Sequence, residues 1–291
     1  MKATKNLIPA IVLVGLLFSC HTGERKGQGT DLSAIKWETV EAHKTYLHPD
    51  VAQIAEDDDT EASFKADIVL TFPQLGGRTS FGTKSFADSV SIILMKRLIP
   101  EDSLLGRTPE ETLNRFVGLR QEAYLADFEA AKEEGYSAEL LSGFVDEILM
   151  TDSVAYTDHN LFSILTFTYE YTGGAHGRQS TKALTFDFSK EKLLSADDLF
   201  KKGATTKVDS LIRENLITNY RASSVEELEE LGFFNYNEAK VGDNMLLTRN
   251  GVTFIFDPYE IAAYFLGTIQ VELPYSALSP YLHEDYAFLA K

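Results

Sequence analysis

The 291-residue sequence holds one cysteine, Cys20, and one tryptophan, Trp37. A lone cysteine excludes any disulfide within the chain and any cysteine cluster for a metal. Hydrophobic length is short as well. The apolar run Leu7–Phe18 has twelve residues and is interrupted by Pro9 and Gly15. At a helical rise of about 1.5 Å per residue it reaches about 18 Å, against a bilayer core of about 30 Å. Positive charge is outnumbered: 27 Lys and Arg against 44 Asp and Glu leave a net −17. That balance disfavours nucleic acid and anionic lipid as partners. A phosphate-binding loop, a dinucleotide fingerprint and a G-x-S-x-G elbow are also missing.

What is present begins with a targeting segment over residues 1–20. Lys2 and Lys5 precede the apolar run, and Ser19-Cys20 closes it. Leu17-Phe18-Ser19-Cys20 resembles a bacterial lipobox, with phenylalanine where a smaller residue is usual. The resemblance implies lipidation of Cys20 and stable attachment to a membrane. Residues 21–34 open with the polar, glycine-rich HTGERKGQGT and read as a flexible tether. No acidic sorting residue directly follows Cys20, which favours the periplasmic face of a bacterial membrane over the cell surface. Without Lys2 and Lys5 the rest of the chain carries 25 basic and 44 acidic side chains, a net −19. The run Glu56-Asp57-Asp58-Asp59-Thr60-Glu61 predicts a solvated loop, because like charges repel; it lacks the glycine and spaced ligands of an EF-hand.

About 260 residues then remain, enough for one large domain or two fused halves. Ile35–Val40 and Ala66–Phe72 alternate as neighbouring strands. Phe86–Leu98 has helical spacing. Thr108-Pro109-Glu110-Glu111 is a capping box opening a helix that Gly135 ends. Phe144–Tyr156, Leu161–Tyr171 and Thr181–Phe188 predict an antiparallel meander, turning at Asp158-His159-Asn160 and at the glycine-dense Thr172–Gly177. Ser195 and Ser224 cap short helices around a longer one ending near Tyr220. Met245–Arg249 and Val252–Phe256 form a hairpin across Asn250-Gly251. A last strand, Ile269–Leu273, precedes Pro274. Without regular β-α-β alternation, the order predicts an α+β fold: mainly antiparallel sheets with packed helices, in two associated halves.

At these residues the chain resembles a family. Tyr169-Glu170-Tyr171-Thr172-Gly173-Gly174-Ala175-His176-Gly177 is similar to the Y-x-Y-T-G-G-A-H hallmark of the extracytoplasmic module found in RsiV-like anti-sigma factors and PdaC-like deacetylases, labelled DUF4163 plus DUF3298. Leu184–Phe188, Leu193–Phe200, the stretch from Asn250 through Asp257-Pro258-Tyr259-Glu260-Ile261-Ala262, Gly267 and Pro274-Tyr275 follow its later pattern. The resemblance covers about residues 35–287, with a PdaC-like (DUF4163) half over 35–180 and a DUF3298 half over 181–287. It implies an α+β module that binds an extracytoplasmic ligand, either peptidoglycan glycan or a cationic protein such as lysozyme, without being catalytic. An anti-sigma role is not expected, given how few residues precede Leu7.

The candidate ligand-binding residues are Tyr171, Gly173, Gly174, His176, Tyr259 and Glu260. For His176 two readings compete: a ligand contact on a glycine-rich loop, or a side chain bonded to nearby backbone in a tight strand connection. Tyr259-Glu260 and Tyr264-Phe265 form a second cluster whose helical spacing favours core packing over sugar stacking. No catalytic residue, metal site or cofactor is assigned. His43, His48 and His159 stand at no metal spacing relative to His176. Thr185-Phe186-Asp187-Phe188 imitates the T-F-D-D of polysaccharide deacetylases, but position 188 is Phe and the only later histidine is His283. The rival function is an envelope polysaccharide hydrolase using Glu170, Asp187 and Glu260, which requires two of them to face each other across about 5–10 Å.

Overall fold

The computed structural model describes Leu32 and residues 35–50, 62–73 and 86–291. The targeting segment with Cys20, the tether apart from Leu32 and the acidic run 56–61 lie outside the described residues.

Strand β1 (Trp37–Leu47) runs antiparallel to β2 (Ser63–Pro73). In β2 the residues Phe64, Ala66, Ile68, Leu70 and Phe72 are all buried, and this alternation fixes which face meets the core. Helices α1 (Phe86–Met95), α2 (Pro109–Glu133) and α3 (Ala138–Ser142) then cross over, so that β3 (Val145–Asp158) pairs parallel to β2. A parallel neighbour requires such a crossover, because no tight turn can return the chain in the same direction. Strands β4 (Leu161–Tyr171), β5 (Arg178–Asp187) and β6 (Lys192–Leu193) continue antiparallel, giving one six-stranded sheet in sequence order.

Helix α2 begins as its sequence predicts. The Thr108 hydroxyl accepts the Glu111 amide at 3.1 Å. The Glu111 carboxylate, however, takes the Arg107 amide at 2.8 Å, one residue before the expected partner. At the other end the Gly135 amide donates to Lys132 O and the Tyr136 amide to Ala131 O, the paired bonds of a Schellman ending. The stripe Leu113, Val117, Tyr124, Phe128 and Ala131 is buried.

The second part adds α4 (Ala196–Leu199), α5 (Thr205–Asn219), α6 (Val225–Glu230), a three-stranded antiparallel sheet of β7 (Met245–Leu247), β8 (Gly251–Phe256) and β9 (Ile269–Pro274), and α7 (Tyr275–Leu278). The fold is therefore α+β, antiparallel except at β2–β3. Strand β4 explains how the two parts join. Phe162 and Ile164 face the core under α1 and α2, whereas Leu161 belongs to the core of α5, β8 and β9. Between them Ser163 Oγ accepts the Leu247 amide at 3.2 Å. Both faces of β4 are covered, which is why its sequence reads as a continuous apolar run rather than an alternating one.

Candidate functional site

Glycine chemistry shapes the β4–β5 connection. Gly173 and Gly174 hold φ of +90° and +89°, a region that side chains rarely enter. Gly177 is required for a different reason: a Cβ there would lie 2.4 Å from the Tyr169 ring. The Tyr171 hydroxyl donates to Gly174 O at 3.0 Å and braces the loop from within. The loop therefore presents His176 outward, in an exposed position.

His176 Nδ1 sits 2.9 Å from Gly177 O. A carbonyl only accepts, so Nδ1 carries a proton, and in the neutral imidazole Nε2 is an acceptor. Nε2 faces the Tyr259 hydroxyl at 3.5 Å, and the imidazole stacks on Tyr264 with centroids 4.0 Å apart. The Tyr264 hydroxyl donates to the same Gly177 carbonyl at 2.6 Å. His176 thus bonds the local backbone, as one of its two readings expects, and stays exposed.

The second cluster corrects its expectation as core. Tyr259 is 57% exposed and Phe265 75% exposed. The apparent helical spacing belongs to no helix, since Tyr264–Leu266 is a single 3-10 turn. Tyr259 occupies the left-handed region at φ +73°, which costs a bulky side chain on the order of 1–3 kcal/mol. The turn around it is over-determined: Tyr259 N donates to Ala262 O, Glu260 N to Asp257 O, and the Glu260 carboxylate accepts the Asp257 amide at 3.0 Å. Glu260 thereby braces the turn that aims Tyr259. Asp257 beside it is raised above the usual carboxylate range, mainly by burial, with the Glu260 charge adding to the effect and the Thr181 amide opposing it.

Next to the aromatic cluster lies a cleft of about 410 Å³, with His176 on its wall. Arg120 and Asp127 of α2 line it together with Asp146, Glu170 and Arg178. Antiparallel β3–β4 register places Ile148 opposite Glu170, so Asp146 and Glu170 fall on one face near the same sheet end. Arg120 forks between them, at 2.6 Å to each carboxylate. Burial alone would lower the Arg120 guanidinium, but its hydrogen bonds to Asp146 and Glu170 outweigh that and leave it raised. Arg178 approaches Glu170 more loosely, at 3.5 Å. Arg120 is not among the residues singled out from the sequence. The stripe of Arg120, Ala123 and Asp127 at spacings of three and four was the signal available.

The three acids of the hydrolase reading are not brought together around a common partner. Glu170 is committed to Arg120 and Arg178. Asp187 is only 2% exposed and accepts from the Tyr286 hydroxyl at 2.9 Å and from Ser189. Glu260 serves its own turn. Among the described residues no group of three or more His, Cys, Asp or Glu could hold a metal ion, and no helix is long and apolar enough to cross a membrane.

Two family models match parts of the chain. A "Protein of unknown function (DUF3298)" model matches residues 197–276, and a "Deacetylase PdaC" model matches residues 99–179. The chain is 31% identical over 127 residues to the peptidoglycan-N-acetylmuramic acid deacetylase PdaC of Bacillus subtilis (strain 168), covering 42% of this chain and 26% of that one. It therefore spans about a quarter of the length of that relative. Among solved structures, a DUF3298-family protein from Bacteroides fragilis superposes with a TM-score of 0.72 at 19% identity, covering 90% of this chain and 97% of the other. A DUF3298-family protein from Pseudomonas aeruginosa gives 0.53 at 15% identity, with 88% and 98% covered. The α+β fold is thus shared with that family. The glycine-dense loop lies at the end of the PdaC match, and Tyr259 and Tyr264 lie inside the DUF3298 match.

Proposed function

We propose that this chain is a bacterial cell-envelope protein, anchored through a lipidated Cys20, that binds cell-wall glycan without transforming it. The binding surface is the His176–Tyr259–Tyr264 cluster together with the adjoining cleft. In this reading residues 35–180 act as a DUF4163-type half and residues 181–287 as the DUF3298 half.

One observation carries the reading. A strained, 57% exposed tyrosine is held beside a stacked His–Tyr pair, and the same histidine also lines a cleft bearing charged side chains. Flat apolar ring faces next to fixed donors and acceptors are what a pyranose needs, with its apolar face and its rim of hydroxyls. Support of a different kind comes from the Bacillus subtilis relative, whose name places it on peptidoglycan. A cationic, lysozyme-like protein is the second reading. It is favoured by the net charge of −17 and by Glu226, Glu227, Glu229 and Glu230 on α6 beside the exposed Leu231 and Phe234.

Titration calorimetry of the purified chain with soluble peptidoglycan fragments tests the first reading, and lysozyme tests the second. Saturable glycan binding is expected. Tyr259→Ala and His176→Ala should each weaken it by about tenfold, the equivalent of one lost ring contact. Absence of binding to either ligand at high micromolar protein refutes both readings.

A further inference from the structure

We infer that the open face of the six-stranded sheet is an extended glycan-strand site. A strip running from β1 to β4, with Leu149, Phe167 and Tyr169 on it, receives further sugar units of a chain whose one end rests on the His176–Tyr264 cluster. The inference rests on the glycan-binding reading above and adds the surface that extends it and the length of chain that is read.

Side chains along a strand point to alternate faces of the sheet. One face is closed by α1 and α2, over Phe64, Ala66, Ile68, Ile148 and Ile164. The intervening residues point the other way. Near β5 that second face is covered as well, where Leu165 packs with Leu246 and Ile255. A solvated sheet face ordinarily carries polar side chains. Val69, Leu149, Phe167 and Tyr169 nevertheless point outward there and are only half-buried. Among the described residues none of the four belongs to a hydrophobic core cluster. Part of their apolar surface stays in contact with water.

Register sets the pattern. His43, Asp67, Leu149 and Tyr169 lie in one row across β1 to β4, and Glu41, Val69, Thr151 and Phe167 lie in the next. Apolar and hydrogen-bonding groups therefore adjoin within a narrow strip. A protein interface is built on a continuous apolar centre with a polar rim. A strip in which apolar surface adjoins fixed polar groups suits a sugar chain instead, with its apolar ring faces and lateral hydroxyls. The polar groups are both held and accessible. His43 bonds Asp67 at 2.8 Å, with side chains 60% and 63% exposed, and reaches Glu41 at 3.4 Å.

Continuity with the ring cluster names the occupant. The Tyr169 ring lies against Gly177, and the Gly177 carbonyl is the one that both Tyr264 and His176 bond. The strip thus runs into the cluster through Tyr169. From β1 to β4 there are three strand spacings, about 14 Å in all, more than one sugar ring fills.

The test is calorimetry on the purified chain with peptide-free peptidoglycan glycan fragments of two and of six sugars. Extra binding registers alone favour the longer fragment by about fivefold, whereas added contacts along the strip should favour it by about thirtyfold or more. The double variant Leu149→Thr, Phe167→Thr keeps strand-forming residues at both positions. It should remove most of that advantage and leave the two-sugar fragment unaffected, with circular dichroism confirming the fold. His43→Ala, at an exposed position, should cost about threefold on the six-sugar fragment alone. Tyr259→Ala should instead weaken both fragments. A wild-type advantage of about fivefold or less overturns this inference and leaves the glycan reading standing. So does an advantage that both strip variants keep in full. Wild type that sediments as a dimer, and becomes monomeric in the double variant, assigns the face to a second copy and overturns the inference. Binding of neither fragment overturns it together with the glycan reading.

Discussion

At the scale of single residues, a buried carboxylate is stable where both its oxygens are hydrogen-bonded. Asp152 is the clearest case. Its side chain is 0% exposed, and it accepts the Thr71 amide at 2.8 Å, Arg97 at 2.8 Å and the Thr166 hydroxyl at 2.7 Å. It sits just past the last parallel pair of β2 and β3, Val69 with Thr151, and closes the ladder where the strands part. Arg97 is 10% exposed and would be stranded without it. Asp152→Ala is therefore expected to lower stability by about 3–5 kcal/mol, measured by urea unfolding. A loss under about 1 kcal/mol would show that Arg97 finds another partner. Glu170 is held in a similar way, its carboxylate being part of the Arg120 fork.

At the scale of elements, caps decide where helices begin. Helix α4 has only four residues, yet its start is doubly fixed. Ser195 and Asp198 exchange side-chain and backbone bonds in a capping box. Burial would raise the Asp198 carboxyl, but Lys192 and the Ser195 bonds outweigh it and bring it down to about 2. Because the folded value lies below the ordinary 3.8, this carboxylate contributes stability above the unfolded value and loses it as pH falls toward about 2. Asp198→Asn should flatten the stability profile between those two values, with little change in slope above them. Chemical denaturation at stepped pH reads this directly. An unchanged acid slope would place the acid sensitivity elsewhere.

At the scale of the whole molecule, the question is why two sheets behave as one body. The outer edge of β5 is free of strand partners over most of its length, since β6 meets only Phe186 and Asp187. Such an edge must be satisfied or it exposes unpaired backbone. Side chains from the second part do this. Asn244 accepts the Ala183 amide at 2.9 Å and donates to Thr181 O at 2.9 Å, while Asp257 accepts the Thr181 amide at 2.7 Å. Asn244 thereby imitates a strand residue between the sheets, and it also reaches Ile255 O at 3.3 Å. Asn244→Ala leaves two backbone groups of β5 unpaired and is expected to cost about 2–4 kcal/mol. Trp37, stacked on Phe162 at 4.0 Å, reports the first sheet by fluorescence, and far-ultraviolet circular dichroism reports the whole chain. Coincident transitions from both are expected; two separated transitions would mean that the sheets fold independently.

Most elements were legible before the fold was known. The Thr108 cap, the β7–β8 hairpin and the alternating β2 are local patterns, although that hairpin turns between Thr248 and Gly251 and Gly251 already opens β8. The His176 loop was legible too, since its glycines mark a backbone that side chains resist. What tertiary structure alone decided are meetings across distance. His176 faces Tyr259, 83 positions later; Arg120 grips Asp146 and Glu170 from another element; β2 lies parallel to β3. Reading Tyr259 and Phe265 as core failed for the same reason. Sequence records how apolar a residue is, whereas burial depends on which surfaces fold against it, and among the described residues none covers Tyr259 and Phe265, which stay 57% and 75% exposed.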